Sequence, residues 1–222
     1  MPSLRLILTL LFAIAPAVAG DVTGQVLITK RLTKKSVIPG VYNLREASPP
    51  PAATEPDATD MDRIVVWLSG AKGPAGAALN TVMEQHNMRF EPDLLVIPMG
   101  STVQFLNGDP ILHNVFSLSR IQPFDLGYYP QNESRGVKFT RPGIVQVYCH
   151  LHANMYAAIV VADSPWYARP SVDGSFAWTH VPSGHYRATA WHKDAGLFYQ
   201  DVDVPGSGAA KVKIAVPVNA EP

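Results

Sequence analysis

Hydrophobic and polar residues alternate with a period of two along most of the chain after residue 21. This alternation is typical of β-strands that bury one face. It predicts strands at residues 22–29, 63–68, 94–97, 101–106, 144–149, 156–161, 175–179, 185–191 and 211–216. Short turn sequences rich in Gly, Pro, Asn and Asp separate these strands, for example at residues 107–110 and 141–143. The pattern predicts an all-β protein built from β-sandwiches.

Three segments depart from the strand pattern. Residues 76–85 are predicted to form a helix, although the Gly and Asn within them are poor helix formers. Residues 30–35 carry four positive charges, and residues 47–62 form a Pro/Ala-rich run with four acidic side chains. Both of these charged stretches are predicted to be solvated loops.

The N-terminus has the features of a secretory signal peptide. Arg5 precedes an apolar stretch at residues 6–16, and residues 17–19 read Ala-Val-Ala, a typical cleavage site. As a helix the apolar stretch would be about 16 Å long, short of the roughly 30 Å hydrocarbon core of a bilayer. We therefore expect residues 1–19 to be removed, and the mature protein to be exported, to the periplasm or beyond, without a membrane span.

The charge balance excludes one class of partner. The chain has 18 Lys and Arg residues against 18 Asp and Glu residues, and only 16% of its residues are charged. An electrostatic nucleic-acid binder would carry a basic excess, so no nucleic-acid partner is expected.

Cys149 is the only cysteine in the sequence. In an exported chain it can be a free thiol, an intermolecular bridge or a metal ligand, since it has no partner for an internal disulfide. An unprotected thiol outside the cytoplasm is prone to oxidation, so the presence of Cys149 requires a chemical reason.

The residues after Cys149 suggest the metal. Cys149, His152 and Met155 follow the spacing C-x2-H-x2-M, immediately after a predicted strand. Thiolate, imidazole and thioether donors favour copper or zinc, and one Cys, two His and a weak axial Met is the blue-copper arrangement. His113 follows the turn at residues 107–110 and could supply the second imidazole. A structural zinc site would more often show paired ligands at both ends.

The segment from about residue 80 to 163 resembles the cupredoxins, and its ligand loop is similar to the short loop of amicyanin. The resemblance includes Phe-Glu-Pro at 90–92, Val-Ile-Pro-Met-Gly-Ser-Thr-Val at 96–103, Asn107 and His-Asn-Val at 113–115. It implies a copper site with His113, Cys149, His152 and Met155 as ligands, and Asn114 as a residue that holds the ligand loops. Residues 124–127 and 143–149 are also similar to a periplasmic subgroup labelled methylamine-utilisation proteins.

The C-terminal part resembles a carboxypeptidase-regulatory-like or transthyretin-like β-sandwich. Its residues 171–187 contain the turn patterns D-G-x-F and P-x-G-x-Y, and the G-x-V and V-x-L strands of that fold occur earlier, at 24–26 and 66–68. We therefore expect a Greek-key cupredoxin β-sandwich at residues 76–163, inserted into a second small β-sandwich made of residues 20–75 and 164–222, with residues 30–62 as a loop. We expect the outer sandwich to be a scaffold, with Trp166, Tyr167 and Trp178 as candidate contact points if it instead binds a specific partner.

The expected function is that of a non-enzymatic type 1 copper protein that carries single electrons between redox partner proteins. The partners would touch the apolar surface near His152, where Leu151, Ala153 and Tyr156 are expected. No second copy of the ligand loop appears that would supply the further copper sites of an oxidase or nitrite reductase.

The alternative is copper handling, meaning storage, delivery or sensing. Met83, His86 and Met88 are its specific support, because thioether and imidazole donors suit Cu(I). His150 directly follows Cys149 and is expected to be a surface residue that could compete with His152 as a ligand. The remaining histidines, His180, His185 and His192, are expected at the surface or in turns.

Overall fold

The computed structural model describes residues 18–29, 60–73 and 76–217. These residues form a short 3-10 helix (Asp60–Arg63) and sixteen strands. The strands are β1 (Ala19–Ile28), β2 (Ile64–Ser69), β3 (Asn80–His86), β4 (Arg89–Glu91), β5 (Leu94–Pro98), β6 (Thr102–Asn107), β7 (His113–Ser117), β8 (Phe124–Tyr129), β9 (Ser134–Lys138), β10 (Gly143–Tyr148), β11 (Tyr156–Ala162), β12 (Tyr167–Ala168), β13 (Ser175–Pro182), β14 (Gly184–His192), β15 (Gly196–Val204) and β16 (Ala209–Val216). The all-β prediction is confirmed.

The strands form four sheets that pack as two sandwiches. In the outer sandwich, sheet β13-β1-β16 and sheet β12-β2-β14-β15 enclose one hydrophobic core. In the other, sheet β4-β3-β6-β9 and sheet β5-β11-β10-β7-β8 enclose a second core, which contains Cys149 and Met155. Side chains alternate in direction along each strand, so that in β6, for example, every second residue is buried.

The outer sandwich is made of strands from both ends of the described chain. β1 pairs antiparallel with β13 and parallel with β16, while β2 lies between β12 and β14. Gly24 of β1 lies opposite Phe176 of β13. The Phe176 ring occupies the space that a Cβ on residue 24 would need, so this close approach requires a glycine. The strands β3–β11 lie between these two groups in the sequence and form the other sandwich.

A third apolar cluster lies where the two sandwiches meet. Trp191 and Val65 of the outer sandwich are buried with Leu94, Ala158 and Val160 of the sheet that contains β10. Polar contacts border this cluster. Lys193 Nζ pairs with Asp93, and Arg169 donates to the Leu94 carbonyl oxygen. The sheet that contains β10 therefore has one face on its own core and part of the other face on the outer sandwich.

The helix predicted at residues 76–85 is wrong. Residues 80–86 form β3, which pairs in parallel with β6 and places Met83 beside Phe105. Met83 and Gln85 point inward and are buried, whereas Val82 and His86 point outward. As a strand, this segment buries Met83 and Gln85 in the core and pairs its backbone with β6. These two gains outweigh the weak local preference for a helix.

Several sequence predictions lie outside the described residues. These are the signal peptide, apart from residues 18 and 19, and the greater part of the predicted loop at residues 30–62. Among the residues that the structure does describe, no helix is long and apolar enough to cross a membrane.

Candidate metal centre

His113 begins β7 and is positioned by the turn before it. The side chain of Asn107, fully buried at the end of β6, donates to the carbonyl oxygens of Ile111 and Tyr129 at 2.8 and 3.1 Å. Its Oδ1 accepts the backbone N–H of Asp109 at 2.9 Å. One amide therefore holds both sides of the loop that carries His113, and the His113 ring is fully buried.

Cys149 follows β10 directly and lies on its inward face. Val145 and Val147 of the same face are fully buried, and Cys149 is 5% exposed. The chain then turns through residues 150–155, where the backbone N–H of Met155 donates to the carbonyl oxygen of His152 at 3.0 Å. Met155 is 1% exposed and belongs to the same buried cluster as Cys149. This turn places the Met155 thioether in the core that also contains the Cys149 thiol.

The sulfur and the two imidazoles converge. Cys149 Sγ lies 3.8 Å from His113 Nδ1 and 3.7 Å from His152 Nδ1, and all three donor atoms lie within 4.8 Å of one another. A metal ion about 2.3 Å from sulfur and about 2.0 Å from each nitrogen, with the donors in a trigonal plane, would place the sulfur about 3.7 Å from each nitrogen. The two observed sulfur–nitrogen distances match this value, so one metal ion fits between the three side chains.

The far side of the His113 ring contacts a carboxylate. His113 Nε2 lies 2.8 Å from Asp109 Oδ2. A carboxylate accepts hydrogen bonds, so the ring carries its proton on Nε2 and leaves the Nδ1 lone pair directed at Cys149. A carboxylate that orients a metal-binding histidine in this way is a common feature of metal sites.

The electrostatic environment favours the charged carboxylate and a neutral His152. Burial raises the pKa of Asp109, but hydrogen bonds from the Met88 backbone N–H, the His113 ring and the Asn87 backbone N–H outweigh it, so the pKa lies below its ordinary value. Burial, followed by the nearby His113 ring, lowers the pKa of His152, against a smaller opposing effect of Asp109. A neutral imidazole is the form that binds a metal.

His150 lies outside this donor group. Its ring stacks on Phe116, with centroids 3.7 Å apart and an angle of 5° between the planes, and its Nε2 lies 3.6 Å from Asp125. Asn114 connects the neighbouring loops, because its Nδ2 donates to Asp125 at 2.7 Å and its Oδ1 accepts the His150 backbone N–H at 3.4 Å. His150 therefore faces the outer side of the sheet, as expected from strand alternation.

The Met83, His86 and Met88 set is not brought together. Met83 is fully buried in the core, whereas His86 and Met88 are exposed. This division between core and surface weakens the sequence support for a Cu(I)-handling site.

The expected exposure of Trp166, Trp178 and His192 is wrong. Trp166 and Trp178 are buried in its core and are not exposed contact points, and Tyr167 is half-buried. His192 is fully buried, unlike the exposed His180 and His185. Trp166 and Trp178 face inward because the two sheets of the outer sandwich enclose them, and those sheets are formed by pairing between distant segments that local sequence does not reveal.

Asp109 is a site residue that the sequence did not predict. The Asn-Gly-Asp-Pro sequence at residues 107–110 predicts only a turn. The available signal was a carboxylate four residues before a candidate ligand, but only the folded turn shows that this carboxylate reaches the ring.

Residues 77–162, less than half of the chain, match the family described as copper binding proteins, plastocyanin/azurin family. Copper is the cofactor that this site fits. The family match supports the cupredoxin prediction for this segment, and the converging Cys149, His113 and His152 side chains agree with it. The search of curated proteins produced no match.

Solved structures that are similar to part of this chain include three different kinds of copper protein. A purple cupredoxin from Nitrosopumilus maritimus is 22% identical over 37% of this chain and 99% of its own, with a TM-score of 0.34. The reduced Cu(I) form of an amicyanin variant is 20% identical over 44% of this chain and 98% of its own, with a TM-score of 0.36. A Cu-containing nitrite reductase from Thermus scotoductus SA-01 is 26% identical over 42% of this chain, with a TM-score of 0.36, and only 24% of that enzyme is covered.

Proposed function

We propose that the protein is an exported type 1 copper protein that carries single electrons, with His113, Cys149, His152 and Met155 as the copper ligands. The observation that carries this proposal is the convergence of one thiol and two imidazole nitrogens within 4.8 Å of one another, in a segment that matches a copper-binding family. The thioether of Met155, buried in the same core as Cys149, would be the fourth and weaker donor to the copper.

The surrounding protein supports electron transfer by holding the donor atoms in place. When bound, copper supplies a one-electron couple. The Asn107 amide and the Asp109 carboxylate orient His113, while β10 and the turn at residues 150–155 position the sulfur donors. Donors that are fixed by packing and hydrogen bonds change little when the charge of the site changes, which keeps the reorganisation small.

The redox partner is proposed to dock where His152 approaches the surface. His152 is less buried than His113, and its neighbours Leu151 and Ala153 are exposed. Tyr156 is half-buried, stacks on Tyr148 with centroids 5.3 Å apart, and is covered by Lys193. Leu151 and Ala153 are therefore the better candidates for direct contact with a partner.

The finer features of the sequence analysis belong to the same proposal. We infer a periplasmic, non-enzymatic protein of the methylamine-utilisation-like subgroup. Its outer sandwich is of the carboxypeptidase-regulatory-like type. Residues 20–75 and 164–222 form that domain, and residues 76–163 form the cupredoxin domain. The pairing of β1 with β13 and β16, and of β2 with β14, supports this division.

The first experiment is an optical and EPR titration of residues 20–222 with Cu(II). We expect an intense thiolate-to-copper band and narrow copper hyperfine splitting, both abolished by Cys149→Ser, because only a thiolate donor produces them. His150→Gln is the matched control, since His150 adjoins Cys149 but faces the other side of the sheet, and it should retain both signals. An ordinary cupric spectrum that is unchanged by Cys149→Ser would contradict the electron-carrier proposal and favour copper handling or a structural zinc site.

A further inference from the structure

The carboxylate of Asp109 connects the metal centre to a strained hairpin turn. Its Oδ1 accepts the Asn87 backbone N–H at 2.7 Å, and its Oδ2 accepts the Met88 backbone N–H at 2.8 Å. The same Oδ2 lies 2.8 Å from His113 Nε2. Asn87 and Met88 have positive φ angles of 51° and 56°, a conformation that non-glycine residues seldom adopt. One buried side chain therefore holds both the turn between β3 and β4 and a proposed copper ligand.

The position of Asp109 is itself determined by several contacts. Its backbone N–H is held by Asn107, the preceding Gly108 donates to the Gln85 carbonyl oxygen at 2.9 Å, and Pro110 restricts the chain after it. The carboxylate is almost fully buried and contacts two backbone N–H groups and the His113 ring. These contacts are all made by protein atoms and hold the carboxylate against the ring.

From this geometry we propose that Asp109 is a positioning residue that orients His113 toward the metal and lowers the reduction potential of the site. A carboxylate hydrogen-bonded to a histidine ligand makes that ligand a stronger donor. A buried negative charge beside the site also stabilises the more positively charged oxidation state, because low-dielectric surroundings screen it weakly. Both effects favour Cu(II) over Cu(I). The effect on the reduction potential rests on the proposed function, whereas the orientation of His113 does not.

A purely structural role for Asp109 can be separated from this one. If the carboxylate only holds the hairpin, replacing Asp109 would affect the metal site solely because the turn at Asn87 and Met88 loses its two hydrogen bonds and relaxes. Met88→Gly removes the conformational penalty at one of the two strained positions, so the turn depends less on Asp109 in that background. An effect of Asp109 that acts through the His113 ring should persist there.

The experiment compares Asp109→Asn, Met88→Gly and the double variant with the unchanged protein, residues 20–222. Asp125→Asn is the control, because Asp125 is a second carboxylate near the site, bonded to Asn114 and exposed to solvent. Reduction potentials are measured by spectroelectrochemical titration, and Zn(II) affinity is measured by competition with a chromophoric chelator. The zinc measurement requires no redox activity.

We expect Asp109→Asn to raise the potential and to weaken Zn(II) binding about 10- to 100-fold, the range typical of losing a residue that orients a metal ligand. The same two changes should appear when Asp109→Asn is made in the Met88→Gly background, which also serves if the single variant folds poorly. Asp125→Asn should leave Zn(II) affinity unchanged and shift the potential less.

Three results would overturn the inference: an unchanged Zn(II) affinity in Asp109→Asn, an equal effect of Asp125→Asn, or loss of the effect in the Met88→Gly background. Absence of a thiolate-to-copper band in the unchanged protein would instead contradict the electron-carrier proposal, and with it the inferred effect of Asp109 on the reduction potential. The Zn(II) measurements would still decide whether Asp109 positions His113.

Discussion

The Met155 thioether is almost fully buried, and the Cys149 thiol lies in the same apolar cluster. At the scale of single residues, each candidate ligand has an ordinary structural explanation, since Met and Cys commonly fill cores. Two imidazole nitrogens approach the same thiol, and this convergence indicates a metal site rather than core packing alone. Asp109 adds a second residue-scale feature, in which a charged side chain is buried because it accepts three hydrogen bonds.

Met155→Leu tests the thioether separately from its volume. Leu keeps the volume of the core, so we expect the free energy of unfolding of the metal-free protein to fall by less than about 1.5 kcal/mol. The reduction potential of the copper-loaded protein should rise, because the site loses a weak electron donor that helps to stabilise Cu(II). Met99→Leu, at a partly exposed position, is the control for a general loss of thioether. Equal potentials in all three proteins would show that Met155 is core filling only.

At the scale of elements, the strands position the site through their ends. β6 ends at Asn107 and leads into the turn that carries Asp109, and β10 ends immediately before Cys149. Strand interiors are held by neighbours on both sides, whereas their ends open into loops that can bring side chains together. β14 ends in a comparable way in the outer sandwich. There, His192 Nδ1 accepts the backbone N–H groups of Asp194 and Ala195, both at 3.1 Å.

This arrangement at the end of β14 predicts a pH-dependent stability. Burial lowers the pKa of His192, with Arg63 acting in the same direction and Asp194 and Asp60 opposing it. The unfolded chain has the ordinary His pKa of about 6.5, so as the pH falls below that value the unfolded state binds a proton first. The free energy of unfolding should therefore decrease on acidification, by at most about 1.4 kcal/mol per pH unit from this group.

His192→Asn isolates that contribution, because the Asn side-chain oxygen can still accept the two backbone hydrogen bonds. Urea unfolding of both proteins should be compared at about pH 7.5 and about pH 5.5, on either side of the ordinary His pKa. The unchanged protein should lose more stability than the variant over this interval. A parallel pH dependence of the two proteins would show that His192 does not contribute.

At the scale of the whole molecule, the two sandwiches share an apolar cluster. Trp191 is buried there against Ala158 and Val160, and Lys193 pairs with Asp93 beside it. A ligand that binds only the folded state stabilises every part of a protein that unfolds with its site. Copper binding should therefore raise the unfolding temperature of both sandwiches, in one transition, as long as this contact couples them.

Trp191→Leu should weaken that coupling. We expect the free energy of unfolding to fall by less than the roughly 3–5 kcal/mol typical of Trp→Ala in a core. We also expect two calorimetric transitions, of which only one shifts when copper is added. Trp178→Leu is the control, because it removes a ring of the same size from the interior of the outer sandwich. A single transition that still shifts as a whole in Trp191→Leu would show that the remaining contacts suffice to couple the two sandwiches.

The sequence alone determined the all-β class, most strand positions and the chemistry of the metal, because a period of two and a C-x2-H-x2-M loop are local properties. It predicted the wrong element at residues 80–86, where the preference for a strand comes from pairing with β6. Only the tertiary structure brought His113 to Cys149, 36 residues away, buried Trp178 and His192, and placed Asp109 on the His113 ring. These contacts depend on which distant strands pair and how each turn is held, and that is decided by the packing of the whole core rather than by any short window of residues.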